Sequence, residues 1–150
     1  GVNLVYIKVP KAASSTTGGI MRRIAAQNGV SGIHNDLWSD NITTPEPALW
    51  ANHLAYYPVA RRLQLLHLKL PVVLVGSVRE PSTRAMSQFY HFQCQQKGQP
   101  TDNGTKLAFL RGLGNMQHSY LGGGTISNVI QRYDVIMSAD QLEESTILLA

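Results

Sequence analysis

The unbroken apolar run Val72-Val73-Leu74-Val75-Gly76-Ser77-Val78 constrains this chain more than any other stretch. A strand with apolar residues on both faces has to be covered on both, as in a parallel sheet lying between helices. Pro71 leads into the run, and Pro81 is suited to the first position of a helix that continues from Ser82 to Gln95. Leu4 to Val9 reads as an earlier strand followed by a helix from Ser15 to Asn28. Tyr133 to Met137 reads as a third strand followed by a last helix from Gln141 to Ala150. Between these, Gly29 to Pro47 reads as loop, and Ala48 to Leu68 as mostly helical with an interruption near Tyr57-Pro58. Lys97 to Thr105 reads as a polar loop, Lys106 to Leu113 and Ile126 to Arg132 as short helices, and Gly122-Gly123-Gly124 as a flexible break. The alternation predicts an α/β protein: a parallel sheet flanked by helices, with ligands at the carboxyl ends of its strands.

The turn after the first strand has the chemistry of an anion site. Val9-Pro10-Lys11-Ala12-Ala13-Ser14-Ser15-Thr16-Thr17 combines a lysine, two small residues and four hydroxyls, then Gly18-Gly19 and a helix-compatible segment. Backbone N–H groups at a helix N-terminus point outward, and the helix dipole favours negative charge there. The hydroxyls add donors, the lysine adds a mobile cation, and Ala12 and Ala13 let the backbone approach a phosphate closely.

At 150 residues the chain is read as one domain, residues 1–150, with enough length for a substantial core. The net charge of +4 comes from dispersed basic residues; only Arg22-Arg23 and Arg61-Arg62 are adjacent, and aromatics do not interleave with them. That pattern favours a cationic cleft for a small polyanion over a nucleic-acid-binding face. Cys94 is the sole cysteine, so no internal disulfide forms. No His/Cys/Asp/Glu group has metal-ligand spacing, and no stretch has the ~18 apolar residues of a membrane span. The chain starts inside a strand and ends on Ile147-Leu148-Leu149-Ala150, which leads us to expect a domain lacking its C-terminal part. Asn41-Ile42-Thr43 and Asn103-Gly104-Thr105 are N-glycosylation triplets.

A second motif follows the central apolar run: Val78-Arg79-Glu80-Pro81, with Ser87 two helical turns on. Arginine at a strand end can clamp a phosphate through parallel N–H bonds, and a serine hydroxyl can add a donor. Together with Pro10 to Thr16, this motif resembles the paired donor-binding motifs of carbohydrate sulfotransferases, Pro-Lys-Thr-Ala-Ser-Thr/Ser and Val-Arg-Asp-Pro with a later serine. The likeness is closest to the uronyl (heparan sulfate) 2-O-sulfotransferases, is shared with galactose 3-O-sulfotransferases, and extends to Tyr133 to Leu142. It implies a three-layer, P-loop-like sulfotransferase fold and a sulfuryl donor, 3′-phosphoadenosine 5′-phosphosulfate (PAPS), with no metal. It also implies that Lys11, Ala12, Ala13, Ser14, Ser15 and Thr16 hold the 5′-phosphosulfate, and that Arg79 and Ser87 hold the 3′-phosphate. Ala12 stands where the family has threonine, and Glu80 where it has aspartate.

Sulfuryl transfer needs a base for the acceptor hydroxyl and positive charge for the sulfuryl oxygens and the leaving phosphate. Lys11 can supply the charge. His53, in Trp50-Ala51-Asn52-His53-Leu54-Ala55-Tyr56, resembles the family's Gly-His-Val-Ser-Tyr segment, which implies that it is the base; His118 is the second candidate. His34, His67 and His91 are read as structural or exposed, although His91 lies one turn beyond Ser87 and could edge the pocket. The resemblance further implies a glycan acceptor and, for the full-length protein, a type II membrane protein of the Golgi lumen anchored ahead of Gly1. From Gln93 to Lys106 the only cations are Lys97 and Lys106, which leaves galactose-type or weakly charged glycans open as acceptors. The competing readings are a non-catalytic nucleotide- or glycan-binding domain of the same fold and a P-loop kinase. The kinase reading lacks the Gly-x-x-x-x-Gly-Lys pattern and an aspartate ending the Val72 to Val78 strand.

Overall fold

The computed structural model describes residues 1–30, 32–34, 47–66 and 68–147. Five strands, β1 (Asn3–Ile7), β2 (Gly32–His34), β3 (Ala48–Asn52), β4 (Val72–Val78) and β5 (Val135–Ser138), form one sheet in the order β2-β3-β1-β4-β5. Every pairing is parallel. The helices are α1 (Ser14–Gln27), α2 (Tyr56–Leu66), α3 (Pro81–Gln88), α4 (Asn103–Arg111), α5 (Met116–Tyr120), α6 (Ile126–Arg132) and α7 (Leu142–Ile147). Among the described residues, no helix is long and apolar enough to cross a membrane.

Strand alternation divides the core in two. Val5, Ile7 and Trp50 face a cluster completed by Val59 of α2, Leu121, Val129 of α6 and Tyr133. Tyr6, Leu49, Ala51, Val75 and Met137 face the other side, against Met21 and Ala25 of α1 and Leu142 of α7. Helices therefore cover both faces, giving three layers. Burying each of Trp50, Ile7 and Val5, all at most 1% exposed, contributes about 1.5–3 kcal/mol. Gly76 makes the close packing over the middle of the sheet possible: a Cβ there would lie 3.0 Å from both Leu121 Cδ2 and Tyr133 Cε1.

The expectations for β1, α1, β4 and α6 match the structure to within two residues. The segment from Ala48 does not: Ala48–Asn52 is a strand between β1 and β2, not the start of a helix. Its alanines and leucine favour helix locally, but register against Leu4 to Ile7 sends alternate residues into the two cores. Pro58 is tolerated inside α2 because it lies in the first turn, where its missing N–H has no helical acceptor. Gly29 to Pro47 contains the short edge strand β2, and the third expected strand is β5, which closes the other edge. The helix expected over Ser82 to Gln95 changes at Phe89 into a π-helix, Phe89–Gln95. A short helix, α5, occupies a stretch for which the sequence suggested no element.

Candidate functional site

The sheet order creates the site. From β1 the chain crosses through α1 towards β2, on one side; β4 lies on β1's other side and leads on to β5. Connections leaving adjacent strands in opposite directions open a crevice at their carboxyl ends, here between β1 and β4. Both sequence motifs leave the sheet at that crevice. A cleft of about 340 Å³ lies there, lined by Pro10, Lys11, Ala13, Ser14, Ser15, Thr16, His53, Arg79, Ser87, His91 and Phe92. Below it, Tyr6 Oη donates to Ser77 Oγ at 2.9 Å, tying β1 to β4, and burial pushes the Tyr6 phenol pKa up.

The loop after β1 is bent by two left-handed residues, Lys11 (φ 63°) and Ala13 (φ 52°). Such a conformation costs a non-glycine residue about 1–2 kcal/mol. Ala13 is the N-cap of α1 and supplies no side-chain cap, so the first-turn N–H groups of α1 have no capping oxygen. Alternating hands of backbone are the pattern seen in anion nests, although one N–H of this run, that of Ala12, is spent within the loop. Ala12 departs from the expectation: its side chain is fully buried in the core, and its N–H donates to Val9 O at 3.3 Å. It shapes the loop and does not line the cleft.

Arg79 is held from three sides. The buried Gln117 of α5 accepts from Arg79 N–H at 2.7 Å and donates from Nε2 to Arg79 O at 2.8 Å, fixing the backbone. Arg79 Nη1 donates to Lys11 O at 3.4 Å, joining the two motifs, and Nε lies 3.9 Å from Asp140 Oδ1. Asp140, in the turn after β5, also accepts from Glu80 N–H at 2.7 Å. Glu80 caps α3, accepting from Ser82 N and Thr83 N and from the Ser82 hydroxyl. Those bonds to Ser82 and Thr83 hold its carboxyl at a pKa of about 2. Ser87 then reaches the cleft from the second turn of α3.

His53 directly follows β3, which brings it to the same end of the sheet. Its Nδ1–H donates to Lys8 O at 2.8 Å, because a carbonyl can only accept. That tautomer leaves Nε2 with a free lone pair. Desolvation lowers the His53 pKa, and Lys8 O as hydrogen-bond acceptor raises it, with the Lys8 ammonium adding a further lowering contribution. The ring is therefore neutral at pH 7, the state of a proton acceptor. The Tyr120 hydroxyl donates to His53 O at 3.3 Å and steadies the backbone.

His118 is not at the cleft. Its Nε2–H donates to Gly124 O at 2.7 Å, bracing the turn of Gly122, Gly123 and Gly124, all at positive φ. His91, one turn beyond Ser87, does edge the cleft, and the π-helix that starts at Phe89, with more than four residues per turn, brings Phe92 in beside it. The His91 ring is bracketed by Gln95 Oε1 at 3.1 Å and Gln96 Nε2 at 3.4 Å. His67 and the triplet at Asn41 lie outside the described residues, whereas Asn103 is the exposed first residue of α4. Sequence reasoning missed Gln117, Asp140 and Phe92. Asp140 and Gln117 both act on groups far away in the chain, and although Asp140 falls within the Tyr133 to Leu142 likeness, nothing local assigns either residue its partner. Phe92 could have been found only by anticipating a π turn.

The chain matches no protein-family model and no curated sequence.

Proposed function

We propose that this protein transfers a sulfuryl group from PAPS to a hydroxyl of a glycan. The observation that carries the reading is the single cleft that gathers Lys11, Ala13 to Thr16, His53, Arg79 and Ser87 from three separate parts of the chain. Its residues suit such a donor. Uncapped N–H groups and hydroxyls at α1 fit one anionic end, and an arginine fork with a serine hydroxyl fits a second. The same reading takes the layered parallel sheet as a P-loop-like sulfotransferase fold, and the full-length protein as a type II membrane protein of the Golgi lumen.

The bound donor supplies an activated sulfuryl group on a phosphate leaving group. Lys11 and the first-turn N–H groups of α1 neutralise charge on the sulfuryl oxygens and the departing phosphate. His53 Nε2 takes the acceptor's hydroxyl proton as the new oxygen–sulfur bond forms and the sulfur–phosphate oxygen bond breaks. Lys8 O, holding Nδ1–H, stabilises the imidazolium that results. Arg79 and Ser87 hold the far end of the donor, so that its reacting end is positioned rather than merely bound.

Incubation with radiolabelled donor and a glycan panel tests the proposal. Labelled glycan is expected, with about a 10²–10⁴-fold loss in His53→Ala and donor binding retained. Donor binding without any labelled glycan would instead establish a binding module. Binding of ATP with Mg²⁺ in place of the sulfate donor would establish a kinase.

A further inference from the structure

A second cavity, of about 390 Å³, lies on the other side of α3 from Ser87, between that helix and the turn joining α4 to α5. Pro81, Ser82, Arg84, Leu113, Asn115 and Gln117 are among the residues that line it. Arg84 is the unusual one. It is only 4% exposed, and no carboxylate among the described residues pairs with it. Its Nη1 donates to Gln88 Oε1 at 2.7 Å and lies 3.6 Å from the Met116 sulfur, while its buried Nε–H has no partner.

A guanidinium remains charged in any protein interior, and burying it without an anion is strongly unfavourable. A neutral amide and a thioether do not offset that charge. Burial lowers the Arg84 pKa, and a guanidinium nevertheless stays protonated in a protein. The group that matches an arginine fork is an oxyanion with two acceptors. Leu110, Leu113 and Pro81 supply apolar wall, so the anion's carrier is compact and partly apolar rather than a bare ion. The Met116 side chain, flexible and soft, is the neighbour that can shift to admit it.

We propose that this cavity is a ligand site for a carboxylate borne on a small organic body, with Arg84 as its counter-charge. The site is separate from the donor cleft, with which it shares no lining residue, and does not depend on the donor reading. The two are nevertheless joined through Gln117, which lines the cavity and clamps the Arg79 backbone. A carboxylate can arrive free or as part of an acidic sugar, and the two sources are distinguishable.

The test uses the intact chain labelled at methionine methyls with ¹³C, titrated with sodium acetate and separately with sodium glucuronate at constant ionic strength. The Met116 resonance, assigned with Met116→Leu, is expected to shift saturably with at least one probe. Acetate alone would indicate a free acid, and a stronger response to glucuronate an acidic sugar. Arg84→Met removes the charge at similar volume and is expected to abolish the saturable shift. Should that variant not fold, Arg84→Lys, which keeps charge but loses the fork, is expected to weaken binding at least tenfold. A linear, unsaturable response to both probes in the unsubstituted protein, or an unchanged response in the Arg84 variants, would overturn the proposal.

Discussion

Replacing Gln117 by leucine asks whether the Arg79 clamp is built from outside its own motif. The amide makes two bonds to one residue, 2.7 Å to its N–H and 2.8 Å to its carbonyl, and is 8% exposed. Leucine leaves both backbone groups without partners in a part-buried position, at about 1–3 kcal/mol each before the gain from burying a larger apolar side chain. A net loss of roughly 2–4 kcal/mol corresponds to a fall of about 4–16 °C in melting temperature for a domain of this size. The functional consequence is sharper than the stability loss. Arg79 would lose its fixed origin, and a charge-assisted contact to a phosphate contributes about 1.5–3 kcal/mol, or roughly 10–150-fold in affinity. Calorimetric titration with adenosine 3′,5′-bisphosphate and with adenosine 5′-phosphate separates the two effects. Gln117→Leu should weaken the bisphosphate selectively and leave the 5′-phosphate nearly unaffected. Gln117→Glu, whose carboxylate would face the Arg79 carbonyl, should behave the same way. Equal weakening of both nucleotides would show that Gln117 serves the fold alone, and no weakening of either would refute the clamp.

Three further outcomes follow from the geometry. The transfer rate should fall as pH falls through the His53 pKa, which desolvation lowers from its ordinary value, because only the neutral ring accepts a proton; an acid limb that persists unchanged in the residual activity of His53→Asn would exclude His53 as the base. The carboxyl of Glu80 has a folded pKa of about 2 against an ordinary 4.5, so the stability it confers is complete above pH 4.5 and lost as pH falls towards 2. Glu80→Gln should flatten that part of the stability curve, measured by denaturant unfolding across acid pH. Ala13→Gly relieves about 1–2 kcal/mol of left-handed strain against about 0.4–1 kcal/mol of added unfolded-state entropy, so its melting temperature should rise or hold. Ala13→Val should lower it, because a β-branched side chain tolerates φ 52° less well than alanine does.

The sequence exposed what local chemistry decides. The unbroken run Val72 to Val78 read as a strand covered on both faces, and Pro81 after Glu80 as the first position of a helix. The hydroxyl-rich turn after β1 read as a candidate anion loop from its residue types alone. Ala48–Asn52 was illegible for the opposite reason: nothing in Ala-Leu-Trp-Ala-Asn prefers strand until β1 and β2 pair with it. Ala12 misled because a small residue in an anion loop reads as a contact, whereas its methyl is core and its N–H closes the turn. The change to a π-helix at Phe89 has no local signature, and it decides which aromatic residues meet the cleft.

The two halves of the site were legible because each lies within a few residues of a strand end, so sequence proximity stands in for spatial proximity. Their relation was not. Lys11 and Arg79 meet through one bond, from the Arg79 guanidinium to the carbonyl of the left-handed Lys11. The strained loop and the arginine are thus in direct contact. Asp140 pulls the same guanidinium from the far edge, 3.9 Å from Nε, and steadies Glu80 with its other oxygen. An arginine balanced between a carbonyl on one side and a carboxylate on the other is pre-oriented without being neutralised, since its side chain remains one-third exposed. A fork held in this way loses little conformational freedom when an anion arrives, which is what a clamp at the switch point of a parallel sheet requires.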